Sequence, residues 1–271
     1  MRILFLGDIV GRSGRDVVMP NVPRLREKWT LDGVIVNGEN VSHGFGLSTK
    51  IARDLFTAGV DVITLGNHAW DRRDLMREIS QYPQIVRPLN YPPGTPGHGF
   101  YIFETGRGKR ILVVNVMGRL FMNPLDDPFR AMDELLAKYR LMANVHAIIV
   151  DIHAETTSEK MAFGHHLDGR VSLVVGTHTH VPTADHRILS KGTAYQTDAG
   201  MCGDYDSVIG MMKAASLSRF TRGISTERLE PSTGEGSLCG VLVILDDATG
   251  LGSGVFPVRL GGTLESSIPQ I

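Results

Sequence analysis

One run constrains this chain more than any other: Val171-Ser172-Leu173-Val174-Val175-Gly176-Thr177-His178-Thr179-His180. Its apolar, β-branched start reads as a buried strand, and the strand ends in two histidines one residue apart. Side chains two apart on an extended chain share a face. At ~3.3 Å rise per residue the two imidazoles are expected about 6.6 Å apart. That spacing suits two neighbouring metal ions, which in two-metal hydrolytic sites lie roughly 3.5–4 Å apart. Gly176 is expected to let the backbone turn tightly beside such a site. Taken alone, a His-x-His pair fits an exposed loop equally well.

Four other apolar runs end in a similar way. Residues 3–7 stop at Asp8, and 33–37 at Gly38-Glu39-Asn40. Residues 60–65 stop at Gly66-Asn67-His68, and 145–150 at Asp151-Ile152-His153. In open α/β sheets, sites form outside the carboxyl ends of the strands, so one fold would gather all five groups. Each group alone has a structural explanation. Asp8 fits a helix cap, Asn40 and Asn67 fit turns, and a lone His68 or His153 fits a satisfied core histidine. Together they point to a dinuclear metal site.

Between these runs the pattern predicts helices over 15–28, 49–58, 71–80, 128–139 and 157–165. Ser48 is expected to cap the second, and Asp126 or Asp127 the fourth, with Pro128 at its first position. Pro20 and Pro23 are expected to leave the first helix short or kinked. Gly11-Arg12-Ser13-Gly14 lacks nucleotide-loop spacing and reads as a plain turn. The Pro- and Gly-rich residues 81–99 read as a surface excursion, and 198–203 as a loop. Hairpins are expected over 100–104/110–116, 184–189/193–197 and 240–245/254–258.

Helices alternate with strands early and hairpins accumulate late. That mixture predicts two packed sheets with helices outside, an α/β sandwich. The 271 residues are expected to form one domain, 1–271, with the hairpins from about 184 completing the second sheet and 261–271 a loose or docked tail.

A formal charge of -1 argues against an extended nucleic-acid surface, though a local positive site remains compatible with it. Two cysteines, Cys202 and Cys239, fit a reducing compartment. No apolar run reaches the ~18 residues of a membrane span, so the expectation is a soluble cytoplasmic protein. The sequence leaves the oligomeric state, a homodimer or homotetramer included, open.

Gly7-Asp8, Gly66-Asn67-His68, His153 and Gly176-Thr177-His178-Thr179-His180 resemble the calcineurin-like metallophosphoesterase superfamily, in order and spacing, over nearly the whole chain. Two positions depart from its usual pattern. Val10 stands where a histidine is usual, and Glu39 where an aspartate is usual. With Asn40 following, and with the motifs Gly-Asp-Ile-Val-Gly and Asn-Gly-Glu-Asn, the chain looks like the YmdB-like branch, a group of bacterial cyclic-nucleotide phosphodiesterases.

The resemblance implies a four-layer αββα sandwich of two mixed sheets with outer helices. It also implies two metal ions per chain. Glu39 would bridge them; Asp8, Asn40 and His180 would complete one, and Asn67, His153 and His178 the other. Asn40 would replace the missing histidine, since an amide oxygen is likewise a neutral ligand, though harder. The family implies iron; the residues alone leave manganese open. The two carboxylates and a bridging hydroxide would reduce two divalent ions to about one net positive charge, matched to a phosphodiester monoanion. Hydroxide would attack phosphorus in line, with His68 as catalytic general acid on the leaving alkoxide.

The implied function is a metal-dependent phosphodiesterase acting on cyclic nucleotides, the 2′,3′-cyclic class favoured. A phosphomonoesterase or nuclease on the same fold is the first alternative. A metal-containing regulatory protein that binds nucleotide or RNA is the second.

Overall fold

The computed structural model describes residues 1–224 and 228–271. In chain order its elements are β1 (Arg2–Leu6), β2 (Asp8–Ile9), α1 (Gly11–Trp29), β3 (Gly33–Asn37), α2 (Thr49–Thr57), β4 (Val62–Thr64), α3 (Arg73–Glu78) and β5 (Ile85–Val86). Then come β6 (Phe100–Glu104), β7 (Arg110–Met117), α4 (Pro128–Leu136), β8 (Ala147–His153), α5 (Thr157–Leu167) and β9 (Leu173–Thr177). The chain ends with β10 (Arg187–Ile188), β11 (Ala194–Gln196), β12 (Met201–Cys202), α6 (Lys213–Arg222), β13 (Leu238–Leu245) and β14 (Gly252–Leu260).

Two six-stranded mixed sheets carry the fold, ordered β14-β13-β1-β3-β4-β5 and β10-β11-β9-β8-β7-β6. Strands β1, β3, β4 and β5 run parallel, as do β7, β8, β9 and β11. The outer partners β13, β14, β6 and β10 are antiparallel.

Period-two alternation explains the layers. Ile3, Phe5, Ile35 and Val62 of the first sheet meet Ile111, Val113, Ile149 and Leu173 of the second in one shared core. The alternate residues Leu4, Leu6, Val34 and Val36 point outward, against Val18, Val22, Leu25 and Trp29 of α1 and Leu55 of α2. On the far side Leu112, Val114, Ile148 and Val150 pack on Met132 and Leu135 of α4 and Phe163 and Leu167 of α5. The result is the expected αββα sandwich. Each fully buried large apolar side chain contributes roughly 1.5–3 kcal/mol, so both sheets are held on two faces.

Local signals act as expected at the starts of α2 and α4. The Ser48 side chain accepts from the Ile51 N–H, and Asp127 from those of Phe129 and Arg130, with Pro128 following. The first helix departs from expectation. α1 starts at Gly11, so Gly11-Arg12-Ser13-Gly14 is its first turn, and it continues to Trp29 through both prolines. Pro20 and Pro23 are exposed. Their lost backbone bonds face solvent, while Val18, Val22, Leu25 and Trp29 bury one apolar stripe at helical spacing.

The late hairpins also part company. β10–β11 joins the second sheet beside β9, as expected. β13–β14 instead extends the first sheet against β1, burying Val241 and Val243 between the sheets. Two segments expected as loops contribute short strands. Residues 81–99 supply β5 to the edge of the first sheet, and 198–203 supply β12, parallel to β2. The tail docks by a bridge between Arg259 and Ser267. No helix among the described residues is long and apolar enough to cross a membrane.

Candidate metal and catalytic site

The carboxyl ends of β3, β4, β8 and β9, with the turn between β1 and β2, open at one end of the sandwich. All eight sequence-predicted residues converge there. Glu39, His153 and His178 offer one donor atom each, all within 4.8 Å of one another. His153 Nε2 lies 3.2 Å from Glu39 Oε1, 2.9 Å from Asn67 Oδ1 and 3.1 Å from His178 Nδ1. One ring nitrogen cannot bond three such partners with a single proton, so this is a shared focus. Close by, His180 Nε2 lies 3.0 Å from the Asn40 amide and 3.8 Å from Asp8 Oδ1. Asn40 Nδ2 also reaches Glu39 Oε1 at 3.2 Å, so Glu39 joins both groups.

The two histidines of the opening motif reach the site differently from the extended-chain expectation. β9 ends at Thr177, and His178 and His180 both take left-handed backbone, φ 93° and 66°. Non-glycine residues in that region cost of order 1–3 kcal/mol each, and only surrounding contacts sustain them. Here Asp198 Oδ2 accepts from the Thr179 N–H and hydroxyl at 3.2 and 2.6 Å. Buried Lys160 donates to the same oxygen at 2.7 Å. The Ile209 carbonyl lies 2.8 Å from His180 Nδ1, leaving Nε2 for the cluster. Nor does Gly176 make the turn: it is in β9, where a Cβ would collide with the Thr197 carbonyl.

Behind the cluster, His153 Nδ1 lies 2.8 Å from the Thr177 hydroxyl, which donates to Asp151 Oδ1 at 2.6 Å. Thr64 donates to the other Asp151 oxygen at 2.5 Å. This network orients the His153 ring and directs Nε2 outward, the role outer partners take around metal-binding imidazoles. Sequence reasoning misses Asp151, Thr177, Lys160 and Asp198 as site residues. Asp151, a carboxylate inside an apolar strand two residues before His153, is the one legible signal among them.

The electrostatics describe a centre dominated by buried acids. Burial resists ionisation of Glu39, yet the His153 charge and hydrogen bond, with His68, hold its carboxyl down at about 2. Burial by itself would lower His153; Glu39, with Asp8 and Asp151 behind it, pushes it up to about 9. Burial first, and His153 second, hold His178 down at about 3. Burial raises Asp151 to about 6 and also raises Asp8, against the pull of His180 and His153.

Three observations fit a bound cation. Asp8 Oδ1 and Asn40 Oδ1 are buried without a hydrogen-bond partner, a costly state unless something else satisfies them. The Asn40 amide turns Nδ2 toward His180 and Glu39, and a cation shared with His180 Nε2 would favour the flipped amide. Gly66 provides the third observation: a Cβ there would enter the space between Glu39 Oε2 and His153 Nε2. The donors are carboxylate, amide and imidazole, with no thiolate.

His68 sits at the rim, its side chain 28% exposed. Its N–H donates to Glu39 Oε2 at 2.9 Å, tying it to the cluster through backbone only. Its Nδ1 lies 2.8 Å from Asp71 Oδ2, and Phe45 meets the ring edge-on at 5.1 Å between centroids. With Nδ1 held by Asp71, Nε2 is the nitrogen left to exchange a proton.

A Bacillus subtilis relative named 2′,3′-cyclic-nucleotide 2′-phosphodiesterase is 48% identical over 249 residues, 92% of this chain and 93% of that protein. A solved Thermus thermophilus structure, described as a hypothetical protein, aligns with TM-score 0.90 at 44% identity, covering 97% of this chain and 100% of that one. A crystal structure of a novel phosphatase from Mycoplasma pneumoniae aligns with TM-score 0.89 at 39% identity, covering 96% and 93%. The family model for YmdB-like proteins matches residues 4–258, nearly the whole chain, and with these relatives it shows that this protein belongs to the YmdB-like family.

Proposed function

We propose that this protein is a phosphoric diester hydrolase that opens 2′,3′-cyclic nucleotides, using two metal ions. The observation carrying this reading is the convergence of seven donor side chains from five chain segments, with His68 held at their edge. Asp8, Asn40 and His180 would hold one ion, Asn67, His153 and His178 the other, and Glu39 both. Bound divalent cations would supply Lewis acidity toward the phosphate and an activated water; the donor set suits iron, with manganese second.

The chain's own residues do the rest. Thr177 and Asp151 fix the His153 ring, and Asp198 with Lys160 fixes the turn that presents His178 and His180. His68, oriented by Asp71, gives a proton to the departing oxygen. Water oxygen bonds to phosphorus, losing one proton to solvent, as the P–O2′ bond breaks. The 2′ oxygen takes the His68 proton and leaves as a hydroxyl, giving a 3′-phosphate, and His68 is reprotonated from solvent. This direction of cleavage follows the name of the B. subtilis relative. A small-molecule phosphodiester is the substrate. The buried, unpaired Cys202 and Cys239 suit a cytoplasmic enzyme.

Metal analysis of freshly purified protein, paired with a panel of cyclic nucleotides and simple phosphate esters, tests this reading. His68→Ala should lower kcat by about 10²–10⁴ with metal content retained, the range for a positioned acid. Loss of both metals in that variant would show the assignment to be wrong. Faster turnover of a simple monoester than of any cyclic nucleotide would favour a phosphomonoesterase. No metal-dependent turnover would favour a regulatory binding protein.

A further inference from the structure

A groove of about 540 Å³ carries Arg12, Arg15, Arg72 and Arg228, with His43, against the single acid Glu230 among its described lining residues. The near-neutral chain concentrates positive charge here. Local partners neutralise it weakly. Arg12 Nε is 3.3 Å from Asp16, both exposed, and Arg72 Nε is 3.9 Å from Asp74. Arg15 donates to the Val41 carbonyl at 2.6 Å. Each guanidinium has five N–H donors, so most remain available.

Segments that line the groove also pack on segments that carry the site. Gly11, next to Arg12, donates its N–H to the Asn40 carbonyl at 3.0 Å, and Arg15 holds the next carbonyl, that of Val41. Arg72 follows Asp71, the partner of His68. Phe45, which meets His68, lies in the loop that also contributes His43. The cationic surface is thus joined to His68 through the Asp71–Arg72 step and through the loop of His43 and Phe45. A mononucleotide with one cyclic phosphate has no second anion to place there. A nucleotide chain has one phosphate per residue, and arginine forks match phosphate oxygens.

We propose that this groove binds a second phosphate of the substrate, so that the preferred substrate is a short single-stranded oligoribonucleotide ending in a 2′,3′-cyclic phosphate. The inference rests on the cyclic-phosphodiester reading above and narrows its substrate class.

Steady-state kinetics on the metal-loaded protein compare adenosine 2′,3′-cyclic phosphate with a triadenylate ending in the same cyclic phosphate. One well-made charge-assisted phosphate contact is worth about tenfold, so kcat/KM for the trimer should exceed that for the monomer by about that factor. In the double variant Arg12→Gln/Arg72→Gln the ratio should fall to near one. The salt dependence of trimer kcat/KM should also flatten, by about 0.7 in logarithmic slope for each arginine–phosphate pairing removed. Thermal melts and metal content check that the variant is folded and loaded. A ratio near one in the unaltered protein, or an unchanged ratio in the variant, overturns the groove assignment and leaves the cyclic-nucleotide reading standing. No turnover of either substrate removes that reading and the groove assignment with it.

Discussion

Gly66 shows how much one missing methyl group can decide. A Cβ at this position would meet Glu39 Oε2 and His153 Nε2, two donors of the cluster. The surrounding strand ends are fully packed, so neither side chain has room to retreat. Gly66→Ala is expected to leave far-ultraviolet circular dichroism unchanged and lower metal affinity by about tenfold, the scale of disturbing an outer partner of a metal site. Unchanged affinity in the alanine variant, measured by metal titration, would show that the space is not a cation cradle. Asn40 and Asp8 make the same point from the other side. Each carries a buried oxygen without a partner, so the cluster is incomplete without a further positive or hydrogen-donating group.

At the scale of elements, the turn after β9 depends on α5. Lys160 projects from α5 to Asp198, both essentially fully buried, and Asp198 in turn holds Thr179 between His178 and His180. Removing one partner of a buried pair leaves an uncompensated charge, at about 3–5 kcal/mol. Lys160→Met is therefore expected to destabilise by that amount and to lower metal affinity as the turn loosens. Adding Asp198→Asn should recover much of the stability but not the metal affinity, since the amide is a weaker acceptor for Thr179. Chemical denaturation and metal titration of the single and double variants would check this. Equal metal affinity in all three proteins would separate the ion pair from the site.

The whole molecule places the donors at one end of a sandwich whose two sheets share a single inner core. β3 and β4 of the first sheet, and β8 and β9 of the second, deliver them, so the cations proposed above would tie the sheets together. A ligand that binds only the folded state stabilises it by about 2.7 kcal/mol at a hundredfold excess over Kd. For a chain of this size 1 kcal/mol moves Tm by roughly 2–4 °C. Chelation of the metal is accordingly expected to lower Tm by about 5–10 °C, read by calorimetry on holo and chelated protein. At the same metal concentration the Gly66→Ala variant, with an about tenfold weaker site, should show about half of that shift. An unchanged Tm on chelation, with metal verifiably removed, would mean that the cations do not join the sheets.

The chain's own order of residues determined the strand ends, the polar residues that finish them, and the alternation that buries both faces of each sheet. These are local properties: a period of two, a glycine before a polar residue, an oxygen-bearing N-cap. What the tertiary structure decided were the features that depend on distant neighbours. α1 runs through two prolines because their unsatisfied positions face water. β13–β14 joins the first sheet because the flank of β1 was open to it. His178 and His180 leave the extended conformation because Asp198 and Ile209, from later in the chain, hold them there. Lys160 and Asp198 carry no local signal at all, since a buried charge becomes intelligible only once its partner has been folded against it.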